Sequence, residues 1–181
     1  MASHRTFLAA SALAGLLLAG TAIGTAEAGE QYVDTTGFAV SGYDVVSYFD
    51  LGQNPVGERQ PAPLPGKASI TAEHNGATWA FATEENRERF LADPARYVPE
   101  YDGHCAYGVA LEGKVPGNPL LWRIVDGELY LNVSQTVVGF WEEDIPGFID
   151  KAETNWSGLE PDPANANPIP EFDPSAAPVG G

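Results

Sequence analysis

Cysteine occurs once, as Cys105, and methionine once, as Met1, in 181 residues. The lone cysteine rules out an internal disulfide, so its thiol is buried, metal-bound, reactive or paired with another molecule. Without further methionine, a copper site built from thioether ligands is excluded beyond residue 1. Histidine is almost as scarce: after the first few residues only His74 and His104 remain. Basic groups are few, 9 against 25 acids, which gives a net charge of −16 and a pI near 4.3. A field of that sign repels phosphate backbones and anionic lipid, so nucleic acid and membrane-surface partners are excluded as classes. A cation or a basic protein fits the sign, and plain solubility is the competing explanation.

Long apolar runs are absent beyond Ile23. The run from Phe7 to Ile23 follows Arg5 and precedes the small-residue pattern Ala26-Glu27-Ala28, which reads as a signal peptide over residues 1–28. An uncleaved anchor is the rival reading, disfavoured by two glycines in the run, with a third just after it, and by missing aromatic and basic flanks. Cleavage after Ala28 starts the mature chain at Gly29, leaves no stable membrane insertion and places the protein in the periplasm or outside the cell. What remains, roughly 150 residues, suits a single domain with a hydrophobic core.

Glycine, proline and asparagine cut the rest into short elements, with no internal repeat in evidence. Ser41 is expected to cap a brief helix through Asp44, Val45, Val46, Tyr48 and Phe49, with Asp44 as its first-turn acid. Leu51 to Lys67 holds four prolines and three glycines and reads as a surface loop. A hairpin follows, Ala68–His74 and Ala77–Ala82 across Asn75-Gly76, with Trp79 and Phe81 alternating on one face. Thr83 is expected to cap a helix whose Phe90 and Leu91 pack back on that hairpin. A short, Gly103-opened helical turn carries His104 and Cys105. A second hairpin pairs Leu121–Val125 with Leu129–Val133 across Asp126-Gly127, with Trp122, Ile124, Leu129 and Leu131 facing inward. Ser134 starts one more helix, broken before Pro146, and a last helical stretch reaches Trp156. These elements predict a small α+β domain of two β-hairpins packed with short helices. The boundaries are a 29–40 lead-in, a domain over 41–159, and a disordered, acidic, proline-rich tail over 160–181.

Several of these segments, taken in order, resemble the secreted YHS-domain proteins: Gly42-Tyr43-Asp44-Val45-Val46-Ser47-Tyr48-Phe49, Glu85-Asn86-Arg87 with Phe90, and Asp93-Pro94-Ala95-Arg96-Tyr97. Cys105-Ala106-Tyr107-Gly108, Trp122, Leu129-Tyr130-Leu131-Asn132 and Asn155-Trp156 continue the likeness, which runs from about Ser41 to Leu159. The resemblance implies metal binding, the usual inference for relatives of small metal-binding modules. Two departures stand beside it. The position similar to the family's Tyr-His-Ser reads Phe81-Ala82-Thr83, without the imidazole, and the several cysteines of related metal modules are reduced to one.

Cys105 carries the chemistry that remains. Near the start of a short helix, unsatisfied N–H groups stabilise a thiolate, so a lowered thiol pKa is expected. Thiolate with the adjacent His104 imidazole suits copper(I) or zinc, and the two are the candidate metal ligands. Neighbours on a helix diverge by about 100°, so sharing one ion requires irregular backbone. The plainer reading is a small buried hydrophobe beside a histidine that either sits at the surface or only supports its neighbours by hydrogen bonding. An enzyme is not indicated: no nucleotide loop, zincin helix or nucleophile elbow is present, and a Cys–His pair adjacent in sequence is a poor nucleophile and base. The sequence therefore points to an exported, non-catalytic protein handling a soft metal ion through Cys105. The alternatives are a cell-envelope interaction module with a buried structural cysteine, and a thiol redox sensor.

Overall fold

The structure is a computed structural model and describes residues 29–176. The expected signal peptide, its cleavage bond and the last five residues lie outside the described residues. Five α-helices and two antiparallel two-stranded sheets make a small α+β domain. In chain order these are α1 (Ser47–Asp50), β1 (Lys67–His74), β2 (Ala77–Phe81), α2 (Glu84–Ala92), α3 (Ala106–Ala110), β3 (Asn118–Val125), β4 (Glu128–Asn132), α4 (Gln135–Glu142) and α5 (Ile145–Leu159).

Local chemistry explains the two hairpins. Asn75 and Gly76 close the β1–β2 turn, and Asp126 and Gly127 the β3–β4 turn, all four at positive φ. Asx-Gly pairs reach that region at low cost, and its twist matches the strands. Thr83 caps α2 by accepting from the Asn86 N–H, and Ser134 caps α4 by accepting from the Val137 N–H. Pro146 falls in the first turn of α5, where its missing N–H costs nothing. Phe90 packs on Trp79 and Phe81 as expected, whereas Leu91, about 100° further round α2, is exposed. The β3–β4 hairpin is buried on both faces. Trp122, Leu129 and Leu131 enter the core around the first hairpin, while Tyr130 enters a second core with Trp141, Ala152 and Val109.

The chain is an internal duplication, which overturns the reading that it holds no repeat. Val40, Ser41 and Gly42 form a left-handed turn at φ 52°, 51° and 79°; Tyr101, Asp102 and Gly103 repeat it at 57°, 52° and 78°. Tyr43 N–H then donates to Val40 and His104 N–H to Tyr101, at 3.1 and 2.9 Å. Gly42 O accepts from Gly66, and Gly103 O from Gly117, at 2.9 and 3.0 Å. Asp44 N–H donates to Leu64, and Cys105 N–H to Val115, both at 2.9 Å. Each hairpin then shows a register irregularity near its start, between Lys67 and Thr71 and between Asn118 and Trp122. An Asx-Gly turn, a hydroxyl cap and a helix complete each unit. Few side chains are shared, and the connection before the hairpin is longer in the first unit, so the sequence conceals the match.

Three local expectations change with this geometry. Ser41 does not cap a helix: it sits in the left-handed turn, its hydroxyl donates to Asp34, and α1 begins only at Ser47. Asp44 is no first-turn acid but a fully buried carboxylate accepting from Val46 N–H, Ala82 N–H and Asn86 Nδ2. The segment beyond residue 160 is not free either. Its described part lies along the N-terminal segment: Asn167 O accepts from the Tyr32 hydroxyl, Asn165 Nδ2 donates to Lys114 O, and Ile169 is buried. Prolines lower the entropy lost on ordering such a strand, and Gly29–Thr35 offers it a partner surface. The 51–66 loop is likewise held to the second unit, through Trp122 Nε1 on Pro61 O and the Glu142 carboxylate on Gly57 N–H.

Gly66 and Gly117, equivalent in the two units, leave no room for a methyl group. A Cβ at 66 would lie 2.6 Å from Gly42 O, and one at 117 would lie 2.6 Å from Gly103 O. Gly139, on the exposed face of α4, has open space around it. Gly66→Ala and Gly117→Ala should each cost about 1–3 kcal/mol as overpacking, seen as a Tm lowered by about 2–4 °C per kcal/mol. Gly139→Ala should leave the Tm unchanged or raised. Thermal unfolding followed by circular dichroism checks all three, and an unchanged Tm for Gly117→Ala would contradict the close approach of residue 117 to Gly103 O.

Candidate functional site

His104 and Cys105 follow the left-handed turn of the second unit, and both side chains are fully buried. Cys105 is the N-cap of α3, its sulfur accepting from the Gly108 N–H at 3.4 Å and lying 3.5 Å from Asn132 Oδ1. The backbone N–H groups of Val133 and Tyr107 lie nearby, the latter donating to Asn132 Oδ1. Duplication explains this setting. Cys105 occupies the position of Asp44 in the first unit: Asp44 accepts from Ala82 N–H, where the second strand passes into the capped helix, and the Cys105 thiol faces the equivalent junction at Val133. In one unit a carboxylate fills the slot, in the other a thiol.

The expected lowering of the thiol pKa is therefore corrected. Burial pushes the Cys105 thiol up, and the three N–H groups offset only part of that. A helix of five residues brings little dipole to set against desolvation.

His104 is fixed at both nitrogens. Nδ1 lies 2.9 Å from Tyr101 O, to which it donates, and Nε2 accepts from the Asn165 N–H at 3.3 Å. The ring is held edge-on to Tyr32 and lies beside Trp156. Burial pushes its pKa down to about 4, so the imidazole is neutral at physiological pH. His74 is not brought near: it lies on β1, its ring edge-on to Phe90 in the core of the first unit.

This donor set does not suit a soft metal ion. Neither His104 nitrogen has a free lone pair, the Cys105 thiol is held protonated, and the two side chains engage different partners. Among the described residues no three His, Cys, Asp or Glu side chains converge in a metal-holding group. Nor do the two form a nucleophile–base pair, because the only free base on the ring is spent on Asn165.

A different cluster, with no signal in the spacing of the sequence, lies on the surface of the second unit. Glu100, Glu128 and Glu153 gather around Tyr101 and Tyr130, with Asp102 and Asp126 close by. Tyr101 donates its hydroxyl to Glu153 at 2.9 Å. Partial burial, Glu128 and the remaining acids together push Glu100 up to about 7. Every group acting on Glu100 and the two tyrosines raises their pKa, and no lysine or arginine is among them. None of the three ion pairs among the described residues reaches this cluster.

His104 and Glu100 titrate with opposite effects on stability. The unfolded His104 binds a proton at about pH 6.5 and the folded one only near 4, so its contribution is present above 6.5 and lost as pH falls toward 4. Folded Glu100 keeps a proton to about 7, so its contribution is present at low pH and lost as pH rises from about 4.5 toward 7. In the parent protein the two oppose each other across this window. Glu100→Gln should leave the His104 slope exposed, as a Tm that falls more steeply than the parent's between pH 6.5 and 4. Parallel Tm–pH profiles for the two proteins would contradict this assignment.

Compared with family models, with curated proteins and with solved structures, the chain gives no match.

Proposed function

We propose that this chain is an exported, non-catalytic interaction module related to YHS domains, and that it docks a basic segment of a partner protein on the Glu100–Glu128–Glu153 face. The single observation behind this reading is the division of chemistry between inside and outside. The thiol and the imidazole are spent on internal hydrogen bonds, while unpaired carboxylates crowd the surface. Like charges held together without counter-ions store repulsion, which an arriving lysine or arginine relieves. Such a partner would also displace the proton that Glu100 retains. Tyr101 and Tyr130 are themselves buried and form the floor beneath the acids, with the Tyr101 hydroxyl holding Glu153 in place.

The overall charge of −16 agrees with a partner of opposite sign and with fast, salt-dependent association. Among the described residues no helix is long and apolar enough to cross a membrane. The periplasmic or secreted location forms part of this proposal, and metal handling through Cys105, the reading first suggested by the resemblance, does not.

An oligolysine peptide provides the test. The parent should bind it with an affinity that falls as salt is raised, and Glu128→Gln with Glu153→Gln should weaken binding by about three- to tenfold, the range for two exposed charge pairs. Cys105→Ser should bind as the parent does, and the native thiol should react with a thiol reagent far more slowly than after unfolding. Equal peptide affinity in the double variant would overturn the docking face. Stoichiometric copper(I) or zinc bound by the parent and lost in Cys105→Ser would restore the metal reading, and a fast-reacting native thiol the redox-sensor reading.

A further inference from the structure

We propose that cleavage after Ala28 has a structural purpose: the α-ammonium group freed on Gly29 seats between the carboxylates of Asp102 and Glu160 and anchors the start of the mature chain to the second unit, while its carbonyl holds Asn75 of the first. Gly29 is buried, and its N–H donates to Glu160 Oε1 at 3.2 Å while its carbonyl accepts from Asn75 Nδ2 at 2.9 Å. Only glycine fits there. A Cβ would overlap Asp102 Oδ2 and lie 2.9 Å from Glu160 Cγ and 3.0 Å from Glu160 O.

The second observation is an unmet acceptor. Asp102 Oδ2 is buried and has no hydrogen-bond partner among the described residues, while Oδ1 lies 3.4 Å from Asn75 Nδ2. A buried carboxylate oxygen left without a donor is costly and rare. The amide of an unprocessed chain has one hydrogen at residue 29, and Glu160 already takes it. An ammonium has three, and the unmet oxygen lies on the side of Gly29 where a Cβ would stand. Processing therefore supplies both the missing donor and a positive charge between two acids.

The location gives the anchor its reach. Asn75 is the turn of the first hairpin, Asp102 belongs to the left-handed turn of the second unit, and Glu160 follows the last helix. Asp102 O also accepts from Tyr32 N–H and Gln31 Nε2, which fixes the segment running on from Gly29. The other charges facing the amine are Glu30 on its own segment and Lys114, whose ammonium donates to Glu160 O at 3.3 Å and also to Asp162 O. His104 nearby is neutral.

The full chain, with residues 1–28, is expressed in an exporting bacterial cell, and the N-terminus of the exported protein is read by intact mass and terminal sequencing. It should begin at Gly29. Trace acetylation across pH 6 to 10 should show that amine titrating about one unit or more above the 7.7–8.0 of an ordinary α-amine. Because the folded pKa is raised, the stabilisation is present below the unfolded pKa and lost as pH rises through the folded one. The Tm of the processed parent should therefore drop over that interval. Asp102→Asn should return the amine toward its ordinary pKa and flatten the Tm profile. So should an alanine inserted between Ala28 and Gly29, which moves the amine away. If Asp102→Asn fails to fold, Glu160→Gln replaces it with the same expected direction. A start at any other residue, an ordinary amine pKa in the parent, or an unshifted pKa in the Asp102 and Glu160 variants would each overturn the proposal.

Discussion

Every strand-to-helix junction leaves N–H groups pointing inward, and this fold meets that need twice with the same device. A left-handed turn ending in glycine swings the chain back toward the hairpin, so that the residue two positions on delivers an acceptor to the junction. Asp44 does this for Ala82, and Cys105 turns its thiol to the equivalent junction at Val133 while accepting from Gly108 N–H. Much of the architecture follows from that requirement. The turn sets where Gly66 and Gly117 must approach, those approaches set the start of each hairpin, and the hairpins carry the aromatic cores. A buried polar atom without a partner is costly, so the slot tolerates different side chains only if each accepts a hydrogen bond.

How much of this was legible in the sequence depends on the range of the interaction. Asn75-Gly76, Asp126-Gly127, Thr83 and Ser134 act within a few residues of themselves, and the hairpins and helix caps they specify are found where the residues place them. The duplication is different. Its repeated elements are backbone conformations and hydrogen bonds, and the side chains that occupy them, Tyr43-Asp44 in one unit and His104-Cys105 in the other, have little in common. Gly42 and Gly103, Pro65-Gly66 and Pro116-Gly117 are the residues that repeat, and in a chain with 20 glycines and 15 prolines they do not stand out.

The candidate site was misread for the same reason. A cysteine near a helix start lowers its pKa only if water or the helix dipole reaches it, and burial is not visible in a string of residues. His104 drew attention because imidazole beside thiol is a common metal pair, yet its two ring nitrogens are claimed by Tyr101 and by Asn165, the latter on a segment whose composition suggests disorder. Glu100, Glu128 and Glu153 come from a turn, a strand and a helix with no shared spacing. Folding brings them together, so the sequence shows only an excess of acid.

That excess is distributed in a way that separates stability from recognition. Among the described residues the one fully buried carboxylate, Asp44, accepts from N–H dipoles rather than facing a cation. The buried ion pair of Arg123 and Glu142 joins β3 to α4 and carries no net charge. Most of the other acids are exposed or half-exposed, so the surplus negative charge lies largely outside, where it faces water. On an exposed face such charge adds little to folding and a good deal to the sign and speed of an encounter. Where several acids are pressed together with partial burial, as around Tyr101 and Tyr130, water screens them less, and the gain from an incoming cation is correspondingly larger. Desolvation of a potential charge acts at both places: inside, it keeps the Cys105 thiol protonated, and at the surface it leaves Glu100 holding a proton that an incoming cation would displace.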